Sequence, residues 1–296
     1  MPPSDTPSAP RPAAISAGAI GRRAALGIAL LALMSGGTAA LLYNSLDPEV
    51  EFAADRDAVR RRTTLTAVTS WSRSGDAGQA DLAAGNATGL IVLSAKALID
   101  QDTAAAQLTV TRLQAASEDG GRRPILAALT VGETALQDAF SRETTLIDQL
   151  IARGVDGIFL NCRPALAVAR QSGRGAQSKL AEALGALADR VRTAEPDFLI
   201  VLENAPSLTA EPSIARVVDG IAVNSLLYAA DGSGAAGARS EIAEVMPELN
   251  RVKRSGRAVF VTEYLAETAI GTRAGALQVL RGLGFLARFS SSIAAP

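Results

Sequence analysis

A seven-residue stretch occurs twice in this chain, as VDGIFLN at residues 155–161 and as VDGIAVN at residues 218–224. Each copy has an Asp-Gly pair, three apolar residues and a closing Asn. Apolar runs without alternation are typical of strands that are buried on both faces of a parallel sheet. Asp156 and Asp219 precede the predicted strands, so we expect them to have structural roles at the N-terminal face. The two asparagines close the strands, at the face where a barrel of repeated βα units carries its functional site, and we expect them to face each other across its mouth.

Five further apolar runs have the same character, and segments with helical spacing, such as 144–152 and 180–191, separate them. Strand–helix alternation over about 230 residues predicts a parallel sheet with right-handed crossovers and favours an α/β fold of the TIM-type (β/α) barrel class. An open doubly wound sheet is the alternative, but no glycine-rich phosphate turn follows the first predicted strand. The predicted strands are 65–70, 90–93, 125–131, 155–160, 198–202, 220–223 and 258–262.

The composition excludes several classes of site. The chain has 296 residues with no histidine and one cysteine, so a Ser-His-Asp triad, a histidine-ligated metal and an internal disulfide are impossible. We therefore predict no metal site and no cofactor. The net charge of -1 argues against nucleic-acid binding. Cys162 is expected to be a small apolar filler, because no histidine can activate its thiol.

The N-terminal part is predicted to lie outside the fold. Residues 1–20 are rich in Pro, Ala and Ser and are expected to form a disordered cytoplasmic tail. Residues 21–44 contain an apolar run, 24–43, which follows Arg22 and Arg23 and precedes acidic residues. This pattern predicts either a transmembrane anchor or a cleaved twin-arginine-type signal, with the rest of the chain in the periplasm. Residues 45–63 are then a linker, and residues 64–296 form the barrel.

Polar residues that follow the predicted strands are candidates for the site. Three of them are carboxylates, Glu133, Glu203 and Glu263. In a chain without histidine, two carboxyl groups can carry glycoside hydrolysis, one protonating the leaving oxygen and the other attacking or activating water. The alternative role for each glutamate is a salt bridge or a cap on a neighbouring loop.

An ordered series of strand-end motifs runs through nearly the whole predicted barrel. The motifs are LIVLS (90–94), LAALTVGE (126–133), GVDGIFLN (154–161), PDFLIVLEN (196–204), VDGIAVNSLLY (218–228) and AVFVTEY (258–264). The series resembles the endo-α-1,4-polygalactosaminidase-like family of TIM-barrel glycoside hydrolases. The resemblance implies a barrel that acts on or binds an amino-sugar exopolysaccharide.

The chain departs from that family at the residues that matter for catalysis. The resemblance implies a catalytic Asp at the position of Asn161 and a catalytic Glu at the position of Asn224, and an amide supplies neither an acidic proton nor a carboxylate nucleophile. The segment 133–155 is also short, which predicts a barrel with one unit missing, either seven-stranded or open on one side.

Two functions follow from these observations. In the first, Glu203, Glu263 or Glu133 has taken over catalysis in an exported hydrolase. In the second, a catalytically inactive barrel binds a saccharide or another envelope protein. In both cases substrate-binding roles are expected for Asn161, Asn224, Asn204, Tyr228, Tyr264 and Trp71.

Overall fold

The computed structural model describes residues 56–74, 89–115, 122–135, 140–231, 233–237 and 239–291. The predicted tail 1–20, the predicted membrane or signal segment 21–44 and residues 45–55 of the predicted linker lie outside the described residues. Within the described ranges, no helix combines the length and the apolar character needed to cross a membrane.

Eight parallel strands form one sheet, and their order in the sheet is their order in the chain. Strand β1 also lies beside β8, where the indole Nε1 of Trp71 donates a hydrogen bond of 2.9 Å to the carbonyl of Leu286. The sheet is therefore a nearly closed (β/α) barrel. The strands are β1 Trp71–Ser74, β2 Leu90–Ser94, β3 Ile125–Thr130, β4 Gly157–Asn161, β5 Leu199–Glu203, β6 Gly220–Asn224, β7 Ala258–Tyr264 and β8 Leu286–Ser290.

Helices occupy the crossovers from β2 through to β8, which the structure describes, as right-handed βαβ units require. A short 3-10 helix, Pro206–Ala210, follows β5. The α-helices are α1 Arg56–Thr66, α2 Ala95–Ile99, α3 Thr103–Ala115, α4 Ser141–Ile151, α5 Arg163–Gln171, α6 Arg174–Ala194, α7 Pro212–Val217, α8 Arg239–Arg254 and α9 Ile270–Gly282.

Six of the seven predicted strands are present, and their bounds differ from the prediction by two residues at most. The first prediction is wrong: residues 65–70 are the end of α1 and the segment that leads into β1. Their apolar character has another cause, because Leu65 and Val68 are buried in the cluster that fills the barrel. Part of the predicted linker, residues 56–63, likewise belongs to α1.

The predicted loss of one βα unit is also wrong, because the sheet has eight strands. The eighth, β8, reads LARFS and all five of its residues are only half-buried. A strand that carries Arg288 in its centre has no continuous apolar run, so the pattern that found the other strands could not find this one.

The core has two apolar layers. One lies between the strands and the helices, and the other fills the barrel. In the inner layer the ring of Trp71 packs at 5.6 Å from that of Phe159 and at 5.5 Å from that of Phe260. These aromatic side chains make the barrel a packed core, so a functional site is limited to its mouth.

The Asp of each repeated Asp-Gly pair links neighbouring strands at the N-terminal face of the barrel. Asp156, before β4, accepts a hydrogen bond of 2.9 Å from the backbone N–H of Ile125, which begins β3. Asp219, before β6, accepts one of 2.9 Å from the N–H of Ile200 in β5. Burial raises the pKa of both carboxyl groups, against the effect of these backbone hydrogen bonds. Their structural roles are those predicted from the repeat.

Substituting Gly157 with Ala is expected to destabilise the protein by about 1–3 kcal/mol, because the barrel has no room for a methyl group there. A Cβ at this position would lie 2.3 Å from the carbonyl oxygen of Leu199 and 2.6 Å from its Cβ. Urea unfolding measures the loss. The matched control is Gly275→Ala in α9, where a Cβ would meet nothing within 4 Å and the change is expected to be neutral or stabilising. Equal effects of the two substitutions would contradict the close packing at Gly157.

Candidate functional site

Strand alternation decides which side chains reach the mouth of the barrel, because successive residues point to opposite faces of a sheet. Val201 and Phe159 lie in the inner cluster, so Glu203 and Asn161, two residues further on, also point inward. The same alternation directs Arg73, Asn224 and Arg288 inward, because each lies two residues after a side chain of the inner cluster. Those inner side chains are Trp71, Ala222 and Leu286.

Glu203 is the buried centre of this mouth, with 1% of its surface exposed. Its Oε1 accepts hydrogen bonds from Nη1 of Arg73 at 2.5 Å and from Nδ2 of Asn224 at 3.1 Å. Its Oε2 is buried and has no hydrogen-bond partner among the residues that the structure describes. An oxygen of this kind is available to a ligand hydroxyl, since an unsatisfied buried acceptor costs free energy.

The side chain of Asn204 fixes the backbone of Asn224 beside Glu203. Asn204 has a left-handed backbone with φ 58°, a conformation that asparagine tolerates well. Its Oδ1 accepts a hydrogen bond of 3.1 Å from the backbone N–H of Asn224. The turn after β5 therefore fixes the end of β6, which positions the Asn224 amide against Glu203.

Asn161 and Asn224 do not face each other across the mouth, as the repeat had led us to expect. Strand β5 lies between their strands, so they flank Glu203 on its two sides. The Oδ1 of Asn161 accepts a hydrogen bond of 3.1 Å from the backbone N–H of Arg163, at the start of α5. In an eight-stranded barrel, two strands with one strand between them are a quarter of the circumference apart, so residues at their ends flank the intervening strand and do not face each other.

Glu263 lies on the other face of its strand. Val259 and Val261 belong to the outer apolar layer, and alternation places Glu263 on their side, fully buried. Its two oxygens accept hydrogen bonds from the backbone N–H groups of Leu227 at 2.8 Å and Tyr228 at 3.2 Å. Burial raises the pKa of Glu263 to about 7, although these backbone donors oppose the shift. The carboxylate thus holds the loop after β6.

Ionisation of Glu263 is expected to make the folded protein less stable as the pH rises. Its folded pKa of about 7 exceeds the ordinary value of 4.5, so the folded state binds the proton more tightly. The unfolding free energy should therefore fall between pH 4.5 and pH 7, by about 3 kcal/mol. Glu263→Gln removes the titration, and we expect urea unfolding at pH 5 and pH 8 to show a smaller difference for this variant, even if it is less stable at both. Exposed Glu267→Gln is the control; equal pH dependence in all three proteins would contradict the prediction.

Glu133 is exposed in the turn after β3, and a different carboxylate from the same connection is buried. Glu143, in the first turn of α4, is 4% exposed and its Oε1 accepts a hydrogen bond of 3.3 Å from the backbone N–H of Gly132. Its Oε2 has no partner among the described residues. The sequence signal for Glu143 was only that of an acidic residue at a helix start, where the helix dipole favours negative charge without any functional role.

The three aromatic residues predicted to bind substrate have different positions. Trp71 is 5% exposed and lies in the barrel core, because β1 begins at this residue and does not end before it. Tyr264 is also buried, and the charges of Glu203, Arg73 and Arg288 all affect its pKa, which burial raises most. Tyr228 is half-buried, and its backbone pairs with Ala236. Alternation from Phe260 directs Tyr264 inward at the end of β7, so this tyrosine lies at the mouth.

Arg73 and Arg288 are the site residues that the sequence reasoning missed. Arg73 binds Glu203, and its guanidinium lies 5.7 Å from the centre of the Phe159 ring. The guanidinium of Arg288 lies 5.1 Å from the centre of the Trp71 ring. Burial, with repulsion by Arg73, lowers the pKa of Arg288 to about 10. Both residues belong to the two strands whose positions were not predicted.

Cys162 is fully buried in the outer apolar layer, and its thiol lies 3.6 Å from the carbonyl oxygen of Leu160. Burial, with Glu203 and Glu143, raises its pKa. A thiol that resists ionisation is a poor nucleophile, so Cys162 has the packing role that was expected. In the described ranges, no three acidic or cysteine side chains are placed to hold a metal ion.

Comparison with known proteins gives one sequence relative and two structures of interest. No protein-family profile matches the chain. An uncharacterized protein of Deinococcus radiodurans is 27% identical over 126 residues, which are 42% of this chain and 39% of that protein. The chain thus matches about two fifths of that relative's length.

The glycoside hydrolase domain of PelA from Pseudomonas aeruginosa superposes with a TM-score of 0.55 and 17% identity, over 75% of this chain and 93% of that domain. A single-residue variant of the same domain gives a TM-score of 0.54 and 18% identity over the same shares of the two chains. The shared feature is the fold. The TIM-type barrel expected from the sequence is confirmed.

Proposed function

We propose that the mouth of this barrel binds a segment of exopolysaccharide and does not cleave it by the two-carboxylate mechanism. The likeness in fold to a glycoside hydrolase domain supports a saccharide as the ligand. The amides of Asn161 and Asn224, at the positions where the resemblance implies carboxylates, support binding over hydrolysis.

The environment of Glu203 is the observation that carries this proposal. Hydrolysis needs two carboxyl groups about 5–10 Å apart across the substrate. Among the described side chains that alternation directs into the mouth, Glu203 is the one carboxylate. Glu263 is bound to backbone amides behind its strand, and Glu133 is exposed in a turn. One carboxylate cannot act as both the acid and the nucleophile or base in the same step.

The polar groups around Glu203 suit a sugar. Its free Oε2 can accept from one hydroxyl, and the amide of Asn161 offers a donor beside it, since only its Oδ1 has a partner among the described residues. Sites built to hydrogen-bond a substrate hydroxyl discriminate strongly against analogues that lack it. Such a mouth can hold a sugar ring in one orientation without reacting with it.

The apolar run 24–43 bears on where this binding takes place. We propose that it exports or anchors the chain, with the barrel in the periplasm, because Arg22 and Arg23 precede it and acidic residues follow it. A barrel held there would meet polysaccharide outside the cytoplasm. An envelope protein is the alternative partner, and it becomes the better hypothesis if no saccharide binds.

Isothermal titration of the full-length protein with oligosaccharides tests the proposal, with product release followed by mass spectrometry. The detergent should have no sugar headgroup, and partly deacetylated galactosamine and glucosamine oligomers belong in the panel because of the resemblance. We expect binding without cleavage, weakened by Glu203→Gln and unchanged by Glu182→Gln, an exposed control on α6. Cleavage that Glu203→Gln abolishes would show an enzyme, and the absence of any saccharide binding would refute the proposal.

A further inference from the structure

The mouth of the barrel carries an excess of positive charge. Alternation directs two arginines, Arg73 and Arg288, and one carboxylate, Glu203, into it. The charged groups around the mouth therefore favour an anion over a cation.

Arg288 forms no salt bridge among the described residues, and Glu203 attracts its charge less strongly than burial and Arg73 oppose it. Glu203 forms its salt bridge with Arg73. The guanidinium of Arg288 instead contacts the face of the Trp71 ring. Its Nη1 is buried and has no hydrogen-bond partner in the described part of the chain. Burial and the neighbouring Arg73 disfavour its charged form, which lowers its pKa to about 10. A desolvated charge without a salt-bridge partner is costly, and a bound anion would offset that cost.

Glu203 is the hydrogen-bond acceptor at the same mouth as Arg288, and it determines what else the ligand must carry. The free Oε2 of Glu203 needs a donor, and the Arg288 guanidinium needs an acceptor. Both groups lie beside the same pair of stacked rings: Arg288 lies over Trp71, and Arg73, the partner of Glu203, lies over the neighbouring Phe159. A sugar ring with a carboxylate and a neighbouring hydroxyl supplies both partners at once, and a carboxylate can bind a guanidinium through two parallel hydrogen bonds. The ammonium group of an amino sugar would instead meet two guanidiniums of the same charge.

We infer that the mouth recognises a saccharide that bears a carboxylate, that is, a uronic-acid type of sugar, through Arg288 and the free oxygen of Glu203. This inference rests on the proposed saccharide binding and names the class of sugar. It differs from the amino-sugar polymer that the resemblance implied.

The test is a ranking of ligands on the unaltered full-length protein. Isothermal titration compares oligogalacturonate, partly deacetylated galactosamine oligomers and neutral galactose oligomers of equal length, with galacturonate monomer and inorganic phosphate as competitors. We expect oligogalacturonate to bind at least tenfold more tightly than the other two oligomers, and its affinity to fall with added salt. Phosphate should compete much less well than the acidic monomer, since it offers no ring hydroxyl to Glu203.

Arg288→Met separates recognition from packing, because methionine keeps an apolar stem over Trp71 and removes the charge. Oligogalacturonate should bind about ten- to a hundredfold more weakly, as expected for losing a hydrogen bond to a charged group. The melting temperature without ligand should stay the same or rise, since no described carboxylate is left unpaired. Arg281→Met, at an exposed position in α9, is the matched control and should change neither quantity.

Three results would overturn the inference. If amino-sugar or neutral oligomers bind as tightly as oligogalacturonate, the acidic sugar is wrong while saccharide binding stands. If phosphate competes as well as galacturonate, the arginines form a simple anion site. If no saccharide binds, the proposed function itself fails. The ranking on the unaltered protein decides among these results even if Arg288→Met does not fold.

Discussion

Replacing Asn161 with Asp and Asn224 with Glu in the same chain is expected to produce measurable hydrolysis of the saccharide that the mouth binds best, where the unaltered protein gives none. Acid–base catalysis by positioned side chains is commonly worth about 10²–10⁴-fold, and the two amides stand where the resemblance implies the two carboxylates. Each single replacement should stay inactive, because each supplies only one of the two roles and Glu203, which is held in its salt bridge with Arg73, does not supply the other.

The strand order supports this expectation. Strands β4 and β6 are separated by β5, so strand spacing alone places them about 10 Å apart, and inward side chains bring the two carboxyl groups into the range of roughly 5–10 Å that glycosidases use. The carboxylate introduced by Asn224→Glu would lie beside Oε1 of Glu203, where Asn224 now donates its hydrogen bond. Repulsion between the two carboxylates would raise the pKa of the pair, which suits a general acid.

Product analysis by mass spectrometry with the same oligosaccharides measures the gain. The controls are the two single variants and the double variant that also carries Glu203→Gln. Activity in either single variant would contradict the division of roles. Activity in the unaltered protein that Glu203→Gln removes would show that Glu203 is already catalytic, and the non-hydrolytic proposal would then be wrong.

Replacing Asp219 with Asn is expected to lower the unfolding free energy by about 3–5 kcal/mol, since breaking a buried ion pair leaves its partners without their counter-charge. Asp219 is 1% exposed, and its oxygens bind Arg61 at 3.2 Å and Arg192 at 2.6 Å. It also fixes the start of β5 through the N–H of Ile200. The loss should appear in urea unfolding as a lower midpoint with an unchanged slope.

The repeat supplies the matched control. Asp156 holds the corresponding place before β4 and makes the corresponding bond to Ile125, but its side chain is 14% exposed and its partner Arg122 is 67% exposed. Partly solvated pairs contribute less, so Asp156→Asn should cost about 1–2 kcal/mol. Equal losses at the two positions would mean that the backbone hydrogen bond, common to both, carries the stability and that the buried arginines add nothing.

Much of the barrel could be predicted from the sequence, because strands buried on both faces are continuous apolar runs. Six strands were found in this way, and the Asp-Gly repeat marked the N-terminal face correctly. The positions of the first and last strands were not predicted, since WSRS and LARFS each contain an inward arginine at the mouth and have no continuous apolar run. The two residues that give the mouth its positive charge were missed for that reason.

The sequence by itself determined the fold class, the order of the strands and the polar residues that close them. Which of these residues line one site was decided only by the tertiary structure. Glu203 and Glu263 both end a buried strand, yet Glu203 points into the mouth and Glu263 points to the backbone amides behind it. The physical reason is that a strand buried on both faces has no alternation of apolar and polar residues. Its sequence therefore does not show which face is inside, and the register of the closed sheet fixes that choice.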